Sequence, residues 1–233
     1  MRYPLAVRQV AFKRARSDAN KRQRAEALME AARSVAIETG VASVTLTAVA
    51  GRAGVHHSAV RRYFSSHKEV LLRLAAESWE GWSDTVCTAL QQSEAMSPDR
   101  VAATLASGLA ADPLFCDMLA NLHLHLDHEV DAERVIEIRR KITAAGLTMA
   151  DALLQALPRL GKQGAFDLLL ASYSLAAPLW QVAHPPTKLA DAYAAERQVP
   201  PEWNLDFTTA LTRLLTATCV GLLRPPESVP AKA

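Results

Sequence analysis

The chain of 233 residues is half hydrophobic, contains only nine glycines and shows few β-branched runs or two-residue hairpin signals, which argues against a sheet protein and for an all-α one. No apolar run of about 18 or more residues offers a membrane span, and the first residues lack the apolar stretch of a secretory leader, so a cytoplasmic location is expected. The formal charge of +2 conceals an asymmetry: residues 1–75 carry 14 Lys/Arg against 5 Asp/Glu, and residues 76–233 carry 12 against 19. A cationic first third on an anionic remainder is the pattern of a polyanion-binding module attached to a non-binding body, although a basic tail that binds nothing has the same signature. Cys87, Cys116 and Cys219 are odd in number, far apart and without metal-ligand spacing, so reduced core thiols are expected, and no cofactor.

In chain order, residues 1–19 (MRYPLAVRQVAFKRARSDA) show no clear period and read as a basic mobile arm, suited to a minor groove or merely solvated. From Asn20, a candidate N-cap, Leu28, Ala31, Ala32, Val35 and Ala36 fall on one helical face, and Gly40 is placed as the C-terminal cap. A short second helix is expected from Thr45, whose hydroxyl can accept a free backbone N–H, through Val49 and Ala53 to Gly54. A third, over about 56–64, turns Val60 and Phe64 inward. A fourth opens at SSHKEVLLRLAAE, where Ser66 and Glu69 stand in capping-box relation and an apolar stripe runs from Leu71 to Leu90. Ser97-Pro98, Asp112-Pro113 and Asp131 mark further starts, predicting helices near 98–111, 113–128 and 131–156. Helices over about 163–183 and 205–223 follow, separated by the proline-punctuated HPPTKLADAYAAERQVPPEW, and RPPESVPAKA reads as a disordered tail.

The segment GVHHSAVRRYF, Gly54 to Phe64, carries the chemistry. Ala50 lies four residues before Gly54, where a small side chain lets two helices cross closely, and Gly54 can take the left-handed conformation a tight turn requires. Val49, Ala53, Val55 and Val60 supply an apolar seam, leaving His57, Ser58, Ala59, Arg61, Arg62 and Tyr63 outside. These are small, hydrogen-bonding or cationic, as a helix lying in a major groove needs, and no acidic residue occurs between Glu38 and Glu69 to neutralise them.

From about Arg24 to Glu77 the chain resembles the DNA-binding domain of the tetracycline-repressor (TetR) family. Gly40, Thr45, Ala50, Gly54, Val55, Tyr63, Phe64, Lys68, Glu69 and Leu71 fall in register with its pattern. The resemblance implies that Thr45 and Thr47 approach the backbone or groove, that His57, Ser58 and Ala59 reach base edges, that Arg61, Tyr63 and Lys68 contact phosphates, and that Arg62 does either. Three positions depart from the family pattern: His56 replaces a usual capping Ser, Arg61 replaces a usual Tyr, and one extra residue, Ser66 or His67, precedes Lys68. The implied organisation is an arm over 1–19, a three-helix helix-turn-helix domain over 20–77, a helical effector-binding and dimerisation domain over 78–224 and a tail over 225–233, about nine helices in all.

In the second part, Trp79, Trp82, Phe115, Met118, His123, Tyr173 and Trp180 are candidates for an effector pocket, with ordinary core packing as the alternative for each. The last two long helices are apolar on more than one face, and Phe166, Leu170, Tyr173, Phe207, Leu211, Leu214 and Leu215 are candidates for a homodimer interface. The expected function is a homodimeric, sequence-specific DNA-binding regulator, a repressor released from a palindromic operator by a small-molecule effector. Its partners are double-stranded DNA, a second copy and the effector, with no membrane. The alternative is a metal-dependent sensor or enzyme built on His123, His125 and His128, although no second cluster completes a coordination shell and no convergent acid, base or nucleophile suggests catalysis. A helical module whose basic end binds a membrane or an acidic partner is a third reading.

Overall fold

The computed structural model describes residues 5–92, 96–121, 130–185, 192 and 205–224, with side chains placed from Ala19 onward, and every regular element among these residues is helical. The α-helices are α1 (Leu5–Thr39), α2 (Leu46–Arg52), α3 (His57–Val60), α4 (His67–Gln91), α5 (Pro98–Ala110), α6 (Pro113–Asn121), α7 (Ala132–Ala156), α8 (Gly161–Ala183) and α9 (Phe207–Leu222), with 3-10 turns at Val41–Ser43 and Pro158–Leu160. They divide into two compact units, one reaching Leu74 and joined by Val130 and Asp131, the other built from Ala75 onward. The opening turns of α4 belong to the first unit and the remainder to the second.

In the first unit, α1 begins well before the Asn20 start that the capping pattern suggests. Leu5 to Thr39 contains neither Gly nor Pro, so no residue interrupts the backbone ladder, and Asn20 sits exposed within the helix. The apolar face then does what its spacing predicts: Leu28, Ala31, Ala32, Val35 and Ala36 are all buried. Gly40, at φ 88°, ends the helix in a conformation that a side chain would strain, while its N–H still reaches the Ala36 carbonyl at 2.9 Å. Val44, Val49, Val60 and Phe64 close the core, each at most 1% exposed. Full burial of a side chain such as Phe64 is worth about 1.5–3 kcal/mol. Val55 does not join them; it is 42% exposed in the turn, because its N–H is drawn back to the Ala50 carbonyl at 3.0 Å and its side chain is left outside the seam.

In the second unit, α9 packs most extensively on α5 and next on α8, and both α6 and α7 pack on α8. Val101, Ala102, Leu105, Ala106 and Leu109 of α5 are completely buried, as are Leu211, Leu215 and Cys219 of α9. Asp112 accepts the Phe115 N–H at 3.0 Å and Asp206 the Thr209 N–H at 2.8 Å, so both aspartates cap their helices. Ser97 makes no side-chain cap; its hydroxyl bonds Asp99 instead, and Pro98 at the first helical position limits the donors left unsatisfied. Trp82 Nε1 donates to the Leu105 carbonyl at 3.3 Å, and Ser83 Oγ to the Ala145 carbonyl at 3.2 Å, tying α4 to α5 and α7.

Candidate nucleic-acid interface

The interface is assembled by turn and cap chemistry that is local in sequence. Thr45 Oγ1 accepts the Ala48 N–H at 3.0 Å and starts α2. Gly54 stands at φ 65°, the left-handed region, and redirects the chain from α2 into α3. His56 then performs the capping that its replacement of Ser put in question: its Nδ1 accepts the Ser58 N–H at 3.3 Å and lies 2.9 Å from Ser58 Oγ.

α3 is shorter than the expected span of about 56–64. After Val60 the ladder tightens to i→i+3 bonds, with Arg62 N–H to the Ala59 carbonyl at 3.3 Å and Tyr63 N–H to the Val60 carbonyl at 2.9 Å. This tightening lets Phe64 drop into the core and turns the chain toward α4.

At that exit lies a group the apolar pattern did not single out. The buried carboxylate of Glu69 receives the Ser65 N–H and the Ser65 hydroxyl, each at 2.8 Å, and the Arg73 guanidinium at 2.7 Å. Burial alone would raise the Glu69 pKa, but the Ser65 bonds and Arg73 outweigh it and hold the carboxyl below its ordinary value. Arg73 in turn lies over the Phe64 ring, 5.0 Å from its centroid. Glu69 therefore reaches one residue farther back than in a standard capping box, to Ser65, while its own N–H bonds Ser66 Oγ at 3.2 Å.

Thr45, Thr47, Ser58, Arg61 and Arg62 are exposed, and His57, Ala59, Tyr63 and Lys68 are half-buried. Arg61 and Arg62 pair with no carboxylate among the described residues. Arg52, by contrast, is tied to Glu38, with Nη1 to Oε1 at 2.5 Å and a second contact from Nη2 to Oε2. The bond to Arg52 holds the Glu38 carboxyl below its ordinary value, so the nearest acidic residue upstream is committed to joining α1 and α2 and does not neutralise α3.

Residues 28–74 match the family model for bacterial regulatory proteins, tetR family, and residues 76–226 match that for the tetracyclin repressor-like C-terminal domain. The chain belongs to the TetR family. It is accordingly a DNA-binding transcriptional regulator by family rather than an enzyme. The fold is similar to that of the fatty acid degradation regulator FadR from Bacillus halodurans, at 16% identity and a TM-score of 0.53 over 86% of this chain and 96% of that one. It is also similar to the multidrug binding protein EbrR complexed with imidazole, at 16% identity and a TM-score of 0.54 over 88% and 97%. A transcriptional regulator of the TetR/AcrR family from Thermobifida fusca YX-ER1 matches at 16% identity and a TM-score of 0.50 over 83% and 97%. No curated protein matches the chain.

In the second unit of this TetR-family chain, four of the pocket candidates meet. Trp79 stands edge-on to Trp82, Phe115 and Tyr173 at centroid distances of 5.3, 5.4 and 5.2 Å. Met118 is completely buried. Trp180 is not part of this group: it stacks on His184 at 3.7 Å and meets Phe207 edge-on at 5.0 Å. His123, with His125 and His128, lies outside the described residues, and among the described residues no group of three or more His, Cys, Asp or Glu could hold a metal. A separate open groove of about 610 Å³ runs between α4 and α5, past Thr85, Met96, Arg100, Thr104 and Ser107; the residues of α4 and α5 that line it gave no periodic signal of their own. No described helix is long and apolar enough to cross a membrane.

The interface candidates separate into two sets. Phe166, Leu170 and Leu214 are 42%, 51% and 36% exposed, and Tyr173 is half-buried. Phe207, Leu211 and Leu215 are buried inside the second unit, where their side chains serve the chain's own core.

Proposed function

We propose that the chain is a homodimeric repressor that reads a palindromic operator with α3 and is released by a small organic effector. The observation that supports the DNA-reading part best is the cationic and hydrogen-bonding surface that follows the Gly54 turn, where Arg61 and Arg62 pair with no carboxylate among the described residues, held by caps at Thr45 and His56. His57, Ser58 and Ala59 would read base edges; Arg61, Tyr63 and Lys68 would grip phosphates, with Thr45 and Thr47 at the groove wall and Arg62 in either role.

Dimerisation is supported by the exposed i, i+4 series Phe166, Leu170, Ser174, Pro178 and Val182 on α8, beside exposed Leu214 and Val220 on α9. An apolar stripe of that length needs a partner, and a second copy presents the same stripe. The effector would enter beside Trp79, Trp82, Phe115 and Tyr173. The buried polar side chains among the described residues of the second unit are Ser78, Ser83 and Ser172, and none of them is charged. An ionic ligand would therefore lack a counter-charge there, so a neutral, aromatic-compatible molecule fits best. Ser78 Oγ has no hydrogen-bond partner and offers one polar contact. Release follows if the effector binds more tightly to a state in which the two α3 helices no longer fit adjacent major grooves.

Selection of bound duplexes from a random pool tests the reading. A two-fold symmetric sequence with half-sites about one or more helical turns apart is expected; enrichment of an asymmetric site, or of none, would overturn it.

A further inference from the structure

The family match starts at Leu28, yet α1 begins at Leu5. From Ala19 to Ala27 of that helix every side chain is exposed except half-buried Ala25. The leading part is also strongly cationic, with Lys13, Arg14, Arg16, Lys21, Arg22 and Arg24 against the single carboxylate Asp18 over residues 13–24. Lys13 and Arg16, like Lys21 and Arg24, are like charges at i, i+3 spacing, which weakens an isolated helix. Residues 13–24 (KRARSDANKRQR) hold no apolar side chain larger than alanine, so a helix there, with self-repelling charge, gains little from packing or from local pairs. A regular array of anions would remove the repulsion and supply the missing partner, and the duplex engaged by the same unit is such an array, with one phosphate charge per ~1.7 Å of axis.

We infer that the cationic leading part of α1 is a second DNA contact, one that lies along the phosphates flanking each half-site. This rests on the helix-turn-helix reading of α2 and α3. The contact is with phosphates and not base edges, because a helix ~10–12 Å across with its side chains is too wide for a minor groove of ~6 Å. Residues 13–24 reach about 18 Å at ~1.5 Å per residue, about half the ~34 Å of one duplex turn. The flank contacted is therefore at most about five base pairs per half-site.

The test compares the full chain with a full-chain variant in which Lys13, Arg14, Arg16, Lys21, Arg22 and Arg24 are each replaced by Gln, which keeps helix propensity. Two duplexes carry the selected operator: one trimmed to the half-sites, one extended by about twelve base pairs of arbitrary sequence on each side. The parent is expected to bind the extended duplex on the order of tenfold more tightly, with a steeper salt dependence. The variant is expected to bind both duplexes equally and to keep the parent's base preference within the half-sites. Equal binding of both duplexes by the parent, or a flank advantage retained by the variant, would overturn the inference. Loss of all base preference in both proteins would instead overturn the helix-turn-helix reading, and this inference with it.

Discussion

His56 Nδ1 accepts the backbone N–H of Ser58 at 3.3 Å, so an imidazole stands where a hydroxyl would ordinarily cap the recognition helix. His56→Ala leaves that donor without a side-chain acceptor and is expected to cost about 1 kcal/mol, whereas His56→Ser restores a cap. For a chain of this size about 1 kcal/mol corresponds to a shift of roughly 2–4 °C in the unfolding midpoint. Thermal unfolding of the three proteins checks it, and equal midpoints for parent and alanine variant would show that the bond contributes nothing.

Glu69 lies with its carboxyl below the ordinary value, despite a burial penalty, because Ser65 and Arg73 bond it. A group whose folded pKa is depressed stabilises the protein above its unfolded pKa, about 4.3 for Glu, and loses that contribution as pH falls through the folded value. Glu69→Gln removes the charge that Arg73 faces and is expected to cost about 1.5–3 kcal/mol at neutral pH, as for a hydrogen bond to a charged group. As the pH falls through the folded value the two proteins should converge. Urea midpoints measured from pH 3 to 7 decide it; a constant gap would exclude the ionised carboxylate as the cause.

Gly108 is a helical glycine with a neighbour that cannot easily give way. A Cβ there would stand 2.9 Å from Trp82 Cδ1, in a ring that is 2% exposed and bonded to the Leu105 carbonyl. Gly108→Ala gains up to about 1 kcal/mol in helix propensity but overpacks the contact by about 1–3 kcal/mol. A net loss of stability with altered tryptophan fluorescence is expected; a stabilised variant with an unchanged spectrum would show the α4–α5 contact to be looser.

Arg61 and His57 occupy one surface but are expected to answer to different measurements. Arg61→Ala should weaken binding to all sequences alike and reduce the slope of log affinity against log salt by about one. His57→Ala should relax preference at one base pair and leave that slope nearly unchanged. Titrations of operator and scrambled duplexes at several salt concentrations separate the two; an unaltered slope for Arg61→Ala would remove its phosphate role.

Leu170 and Leu211 provide a paired test of the dimer. Leu170 is 51% exposed and Leu211 completely buried. Leu170→Lys is expected to yield a folded monomer by sedimentation and circular dichroism, while Leu211→Lys, which buries an unpaired charge, should unfold the second unit. A folded Leu170→Lys dimer would move the interface elsewhere.

The first unit was legible because its determinants act over a few residues. Left-handed turns at Gly40 and Gly54, the cap at Thr45 and the apolar face from Leu28 to Ala36 depend on φ preference, one side-chain bond and helical period. Helix limits were less legible where competing forces balance. Asn20 caps well in isolation but is overruled by an unbroken helix-forming run, and α3 ends at Val60 because Phe64 is needed in the core.

In the second unit, sequence by itself determined that the chain is helical, where most helices begin, and that α8 and α9 carry more apolar surface than one neighbour can cover. Only the tertiary structure decided which of those side chains turn inward. Phe207, Leu211 and Leu215 are buried, Phe166, Leu170 and Leu214 are not, and Trp180 joins His184 and Phe207 instead of the Trp79 group. The reason is physical: periodicity assigns a residue to a face of its own helix, but which face is covered depends on the helices packed against it, and that packing is a property of the whole chain.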